Sequence, residues 1–241
     1  MEYIERIDKI ISSSGKMSRK QVKKAAAQGR ISLDGIIVKS ADIKVNKNQN
    51  LTLDGVPVIY EQYTYIMMNK PEGYVSSTDD PHSPYVIELL SDEFKKLNLF
   101  CVGRLDKDTV GLIILTNDGD AAHQLLSPKK HVEKLYFFEC AEKLTDSMVK
   151  IFNDGVSLGD GYTTKPSKLE IGEDKLSGYI TLTEGKYHQI KRMFGACNNK
   201  ITYLKRCKFG GVEMDSQLQV GEWRKLYENE LKILLKSVIR C

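Results

Sequence analysis

Positive charge is unevenly distributed along this chain of 241 residues. Residues 1–60 contain 11 Lys/Arg and 6 Asp/Glu, whereas residues 61–241 contain 25 and 26 of these, so the excess lies in the first quarter. Between Lys16 and Arg30, six basic residues occur without an acidic one. This division predicts a small polyanion-binding domain, residues 1–60, attached to a nearly neutral second domain, residues 61–241.

The first sixty residues have the pattern of two helices followed by two hairpins. Isoleucines at helical spacing predict a helix from Glu2 to Ser13. Ser18 is a typical N-cap for a second helix, Arg19–Gln28. Asp34-Gly35 and Asp54-Gly55 each separate short runs of alternating apolar residues, which is the strongest short hairpin signal. A short linker is expected at Glu61–Thr64.

The second helix carries the first candidate binding surface. Val22, Ala25 and Ala26 form an apolar stripe along one side. The cations expected on the opposite side are Arg19, Lys20, Lys23 and Lys24, with Arg30 after the helix. A solvated face is the alternative, but ordinary surface helices interleave acids with bases. The unbroken basic run therefore favours RNA or DNA binding, with contacts to phosphates that give affinity rather than sequence choice.

The remaining residues contain more strand-like than helical runs. Gly111–Thr116 is wholly apolar, as in the central strand of a sheet, and Val132–Cys140 and Ile201–Lys205 are further strands. Thr145 is the expected N-cap of a helix that ends before Gly155. Because strands occur in runs, we expect an α+β fold with a mixed, mainly antiparallel sheet.

Composition argues against several classes of protein. No run of about 18 apolar residues is present, and the charged N-terminus lacks an apolar signal core, so we expect a cytoplasmic protein without a membrane span. No two of the five cysteines are separated by two residues, and the four histidines lack metal-ligand spacing. We expect no metal, no cofactor and a monomer.

A loop rich in charged residues precedes the apolar strand. Arg104, Asp106, Lys107 and Asp108 fall within five residues at its mouth. Catalytic groups often lie in loops held by a rigid core. Taken alone, however, these residues are better interpreted as a charged turn in which Asp108 pairs with Arg104 or Lys107.

A resemblance favours the catalytic interpretation. Residues 103–119, GRLDKDTVGLIILTNDG, resemble the signature of ribosomal RNA pseudouridine synthases, in which a G-R-L-D loop carries the catalytic aspartate. Three further segments are similar to elements of that family in the same order: Lys70-Pro71-Glu72-Gly73, Lys134-Leu135-Tyr136 and Glu184–Phe194. The His188-Gln189 form resembles the small-subunit, synthase A-like branch. The first sixty residues resemble the αL RNA-binding domain shared with a ribosomal protein.

The resemblance implies an enzyme that isomerises one uridine of small-subunit (16S) ribosomal RNA without a cofactor. It implies that Asp106 is the essential carboxylate, either as a nucleophile at the anomeric carbon or as a base for the ribose 2′ proton. Lys191 matches the cation expected beside that carboxylate, with a phosphate contact as its alternative role and Arg192 as the substitute partner. Tyr136 would stack on the uracil, or be a core aromatic.

Further residues would contact the RNA. Arg104 is expected to hold the target nucleotide out of its stack. His188 and Arg192 are expected to contact phosphate or base, although a structural role for His188 is equally plausible. Three other functions remain open: a synthase for large-subunit ribosomal RNA, a non-catalytic RNA-binding or ribosome-assembly factor, and a glycosidase-like hydrolase that uses Asp106 and Asp108.

Overall fold

The computed structural model describes residues 4–13, 17–46, 48–58 and 63–239. The chain divides into two compact units, the first comprising Met1–Thr64 and Leu90–Leu99, the second Tyr65–Leu89 and Phe100–Cys241. Half of the predicted linker Glu61–Thr64 lies outside the described residues, and the boundary at residue 60 stays a prediction. None of the described helices is long and apolar enough to cross a membrane.

The first unit contains short strands and helices. In chain order they are β1 (Ile4–Arg6), α1 (Ile7–Ser13), α2 (Arg19–Ala27), β2 (Ile31–Leu33), β3 (Ile36–Ile37), β4 (Lys44–Asn46), β5 (Leu51–Leu53), β6 (Val56–Pro57) and α3 (Asp92–Lys95). Strand β1 pairs with β4, and a second sheet has the order β3-β2-β5-β6. The apolar stripes of α1 and α2 meet in one core with Ile31, Val45 and Leu51.

Local signals account for most of this unit. Ser18 accepts a hydrogen bond from the Gln21 N–H, and the Gln21 side chain accepts one from the Ser18 N–H, which completes a capping box. Both Asp-Gly pairs form the predicted turns, and Asp34 (φ 51°) and Gly35 (φ 82°) have the positive φ that such tight hairpins require.

The predicted start of the first helix is wrong. Ile4–Arg6 is a strand, and the helix begins only at Ile7. The reason is the antiparallel pairing of Ile4–Arg6 with Lys44–Asn46. Local apolar periodicity carries no information about a pairing partner so distant in sequence.

The second unit is built on a sheet of nine strands among the described residues. They are β7 (Tyr65–Lys70), β8 (Phe100–Cys101), β9 (Val110–Thr116), β10 (Lys134–Cys140), β11 (Lys168–Ile171), β12 (Ser177–Leu182), β13 (Ile201–Phe209), β14 (Val212–Glu213) and β15 (Trp223–Lys225). The order is β11-β12-β10-β13-β9-β7-β15, with β8 on β9 and β14 on β13. This mixed, mainly antiparallel sheet confirms the α+β class.

Four helices accompany this sheet in the described part of the second unit. They are α4 (Gly119–Leu126), α5 (Asp146–Asp154), α6 (Gln189–Ala196) and α7 (Glu228–Ile239), and a 3₁₀ turn spans Val86–Leu89. Helices α4 and α7 share a core with β7 and β9. Phe194 fixes α6 through ring contacts with Phe138 of β10 and Phe152 of α5, at centroid distances of 4.7 and 5.1 Å. Strand β15 and helix α7 were not anticipated from the sequence.

Strands β9 and β13 run parallel, whereas every other described pair in this sheet is antiparallel. Their register pairs Val110 with Lys205 and Gly111 with Arg206. A Cβ on Gly111 would lie 2.5 Å from the Arg206 carbonyl oxygen, so this close approach requires glycine. Because parallel neighbours begin at the same end of a sheet, the loop before β9 and the helix before β13 come together there.

Candidate active site

The loop before β9 and the segment before α6 line an open cleft of about 880 Å³. Asp106 lies on its wall, with 29% of the side chain exposed. Tyr136 of β10 also lines the cleft, and only 8% of this residue is exposed. A cleft lined by a carboxylate and a largely enclosed aromatic ring can act on the sugar of a nucleoside whose base stacks on that ring.

Asp106 has two nitrogen-bearing neighbours. Lys191 Nζ lies 3.5 Å from its Oδ2, and His188 Nε2 lies 3.6 Å from its Oδ1. The structure therefore brings together Asp106, Tyr136, Lys191 and His188, all of which line the cleft. Their roles in catalysis and RNA binding stay predictions.

Lys191 is shared between two carboxylates. Its Nζ donates a hydrogen bond of 2.5 Å to Asp108 Oδ1. Partial burial alone would raise the pKa of Asp108, but the hydrogen bond and charge of Lys191 outweigh it and hold that pKa below its ordinary value. The charged-turn alternative, in which Asp108 pairs with Arg104 or Lys107, is wrong for the described residues. The partner of Asp108 is Lys191 of α6, a helix that comes near this loop through the pairing of β9 with β13.

The two arginines predicted to contact RNA near the cleft differ in environment. Arg104 is exposed on the cleft wall, and within the described residues it has no carboxylate within 4 Å. Arg192, next to Lys191 in sequence, instead forms an ion pair with Asp160. Arg104 is thus available to a ligand in the cleft, whereas Arg192 is bound to a protein carboxylate.

Two residues outside the predicted set of site residues, Ser76 and Lys70, fix the backbone of the loop that carries Asp106. The Ser76 hydroxyl donates to the Leu105 carbonyl and accepts from the Leu105 N–H, both at 2.9 Å. Lys70 Nζ donates to the carbonyls of Lys107 and Thr109, at 3.3 and 2.8 Å. The Lys70-Pro71 motif was the available signal for Lys70, and no signal marked Ser76.

The Lys70 side chain is fully buried. Burial lowers the pKa of its ammonium group to about 8, against the opposing charges of Asp108 and Asp106. Arg206 of β13 is also buried, and its Nε donates to the Leu112 carbonyl at 2.7 Å. These enclosed cations hold backbone carbonyls beneath the cleft, a function that only the folded sheet reveals.

A second buried network orders the segment before α6. The Gln189 amide donates to Glu184 Oε1 at 2.6 Å, and Gln189 Oε1 accepts from the Lys186 N–H at 2.9 Å. Glu184 also accepts from the Tyr162 hydroxyl at 2.7 Å. Between Lys186 and Gln189, His188 has a left-handed backbone (φ 49°, ψ 34°), which is uncommon for any residue but glycine.

The basic helix α2 presents exposed cations in the first unit. Arg19, Lys20 and Lys24 have no ion-pair partner within the described part of the chain, whereas Lys23 lies 3.2 Å from Asp42. Arg30 makes two hydrogen bonds with Asp54, of 2.8 and 2.5 Å. Lys16 lies outside the described residues. Among those that are described, no group of three or more His, Cys, Asp or Glu could hold a metal.

Two family models match the chain. Residues 64–196 match the family described as RNA pseudouridylate synthase, and residues 5–51 match the S4 domain. The first model contains the described cleft residues Asp106, Tyr136 and Lys191, and the second contains the basic helix α2.

Similar proteins extend over almost the whole chain. The "Uncharacterized RNA pseudouridine synthase YtzG" of Bacillus subtilis is 43% identical, with 95% of this chain and 98% of the relative covered. The "Ribosomal small subunit pseudouridine synthase A" of Escherichia coli strain K12 is 38% identical, with 94% and 98% covered. A crystal structure of a pseudouridylate synthase superposes with a TM-score of 0.68 at 37% identity, covering 95% of this chain and 99% of that one.

Proposed function

This chain belongs to the RNA pseudouridylate synthase family, and we propose that it isomerises one uridine of small-subunit ribosomal RNA with Asp106 as the essential carboxylate. One observation carries the proposal for Asp106: its carboxylate lines the same open cleft as the largely buried Tyr136 and lies 3.5 Å from the Lys191 ammonium. The small-subunit target is supported by relatives 37–39% identical over nearly their full length that bear that name.

The reaction moves one bond without oxidation or reduction. The bond between uracil N1 and ribose C1′ breaks, the base turns, and C5 bonds to C1′ while the C5 proton is lost and N1 gains one. As a nucleophile, Asp106 would bond to C1′ transiently. As a base, it would take the 2′ proton. Both routes use the carboxylate of Asp106, which lies 3.5 Å from the Lys191 ammonium.

The neighbouring side chains have complementary tasks in this proposal. Tyr136 offers a ring face on which the uracil stacks while it is detached from the sugar. Arg104, exposed on the cleft wall, contacts the extruded nucleotide and offsets part of the unstacking cost. The exposed cations of α2 bind phosphates elsewhere on the RNA.

The test uses small-subunit and large-subunit ribosomal RNA labelled with tritium at uracil C5, because isomerisation releases that label. We expect release from small-subunit RNA by the parent protein, and none by Asp106→Asn, which should still bind RNA. Asp120→Asn, an exposed aspartate of α4, is the matched control and should retain activity.

Two outcomes would contradict the proposal in different ways. Tritium release by Asp106→Asn would remove Asp106 from the mechanism. Release by the parent from large-subunit RNA alone would move the target to the other ribosomal subunit. Mapping pseudouridines in ribosomal RNA from cells with and without this protein then identifies the modified position.

A further inference from the structure

We propose that Tyr187 is a stacking platform for a nucleobase next to the target uridine. Tyr187 lines the catalytic cleft, and 72% of it is exposed. Such an exposed aromatic side chain at the mouth of a cleft for RNA suits base stacking, since every base has a π face. This inference rests on the proposed function and identifies a contact for the RNA around the reacting nucleotide.

One face of the Tyr187 ring is already occupied. It stacks on the His188 imidazole with a centroid distance of 3.8 Å and an interplanar angle of 19°. His188 in turn lies 3.6 Å from Asp106. His188 therefore contacts both the Asp106 carboxylate and the Tyr187 ring, and the other face of the Tyr187 ring is the one that a base would use.

The platform is ordered before any ligand arrives. Buried Gln189 and Glu184 brace the segment on either side of Tyr187 through hydrogen bonds, and His188, on which the Tyr187 ring stacks, has a left-handed backbone. Strain of this kind concentrates at functional sites. A ring that is already fixed loses little conformational freedom when a base stacks on it, so more of the stacking energy contributes to affinity.

The surrounding charges suit a nucleotide rather than an apolar ligand. Arg104, Lys107 and Lys186 line the same cleft, and the Lys186 Nζ lies 5.1 Å from the centroid of the Tyr162 ring. These cations can receive the phosphates on either side of a base that rests on Tyr187. Stacking also separates this base from its former neighbour, the target uridine, and so helps to keep the target extruded.

The experiment uses a synthetic RNA hairpin that contains the uridine modified by the parent protein, with 2-aminopurine placed immediately 5′ or 3′ of it. Binding to the parent should quench the fluorescence at one of the two positions. Tyr187→Phe, which keeps the ring, should preserve that quenching. Tyr187→Ala should lose it and raise KM by about 5- to 100-fold with little change in kcat.

Tyr227→Ala is the matched control. Tyr227 is 59% exposed but packs on Arg224, with the guanidinium 4.0 Å from the ring centroid, and does not line the cleft. The Tyr227→Ala variant should therefore show the same quenching and the same KM as the parent protein.

Three results separate this inference from the proposed function. If the parent makes no pseudouridine in any RNA tested, the proposed function fails. If the parent is active but Tyr187→Ala binds and quenches like it, the stacking contact is wrong. If Tyr187→Ala lowers kcat alone, Tyr187 only positions His188, and the inference is overturned.

Discussion

The basic helix α2 and the cleft that contains Asp106 both carry cations, but the surroundings of these cations differ. On α2 the cations are exposed, and only Lys23 has a carboxylate partner among the described residues. In and beneath the cleft, Lys70 and Arg206 are buried against backbone carbonyls, and Lys191 is shared by two aspartates. Exposed charges bind a polyanion through a screened field, whereas enclosed charges fix the geometry of reacting groups.

The largest effect is expected for Lys191. Lys191→Met removes the ammonium 3.5 Å from Asp106, and the rate of pseudouridine formation should fall by about 10³-fold, or about 4 kcal/mol. RNA affinity should change little. Single-turnover rates and RNA binding by filter retention measure both quantities. Arg192→Met is the matched control, since Arg192 pairs with Asp160 outside this contact, and its rate should stay within a few-fold. A larger loss of rate in Arg192→Met than in Lys191→Met would mean that Arg192, and not Lys191, is the cation that assists Asp106.

A buried cation of the second unit should make stability depend on pH. Burial, reinforced by the charge of Arg206, lowers the pKa of Lys134 to about 8 from 10.5. Between pH 8 and 10.5 the unfolded chain binds more protons at Lys134 than the folded chain does, so the contribution of Lys134 to the free energy of unfolding rises with pH. The destabilisation caused by the buried ammonium is therefore largest below pH 8. In Lys134→Met that dependence disappears.

The free energy of unfolding of Lys134→Met minus that of the parent should therefore fall by about 3 kcal/mol between pH 7.5 and 10.5. Urea denaturation at both pH values measures it. Taking the difference cancels titration elsewhere, such as that of Cys101, whose pKa burial raises to about 12. A difference that stays constant with pH would show that the buried ammonium costs the fold nothing.

The α2 cations should affect affinity but not chemistry. Replacing Arg19, Lys20 and Lys24 together by glutamine should weaken RNA binding by about 10- to 100-fold at low salt, and reduce the slope of log affinity against log salt by about 2 to 3. The value of kcat should stay unchanged. Lys23→Gln should have a smaller effect, because Asp42 already neutralises Lys23. Loss of kcat with an unchanged slope would mean that these residues act in catalysis and not in phosphate binding.

The smallest effect concerns the helix caps of the two regions. Ser18→Ala removes a complete capping box and should cost about 1 kcal/mol of stability. Thr145→Ala should cost less than half of that, because the Thr145 hydroxyl bonds Ser147 and makes no cap hydrogen bond. Urea denaturation of the two variants compares them directly, and equal costs would mean that cap geometry does not govern these helix starts.

The sequence predicts those features whose causes are local. Ser18 and the Asp-Gly turns act within a few residues, so the first unit follows from them apart from Ile4–Arg6, whose strand partner is remote. The run Gly111–Thr116 was correctly assigned to a central strand because its apolar character needs no partner to be seen.

Most of the site geometry depends on contacts between distant segments. The ordered motifs indicated Asp106, Tyr136 and Lys191, yet no local rule showed that Lys191 would bind Asp108. The strand that contains Arg206 was predicted only as far as Lys205, and nothing in the sequence indicated that the Arg206 side chain is buried. Such contacts are set by sheet pairing, which periodicity does not encode.

The parallel pairing of β9 with β13 also has a consequence for the newly made chain. Asp106 leaves the ribosome 85 residues before Lys191, a delay of about 4 to 17 s at ordinary rates of synthesis. Closing so long a segment costs entropy, so this pairing forms late compared with hairpins such as β2–β3. During translation, therefore, the Asp106 carboxylate exists for seconds without the Lys191 ammonium, and this part of the cleft stays incomplete until α6 has been synthesised.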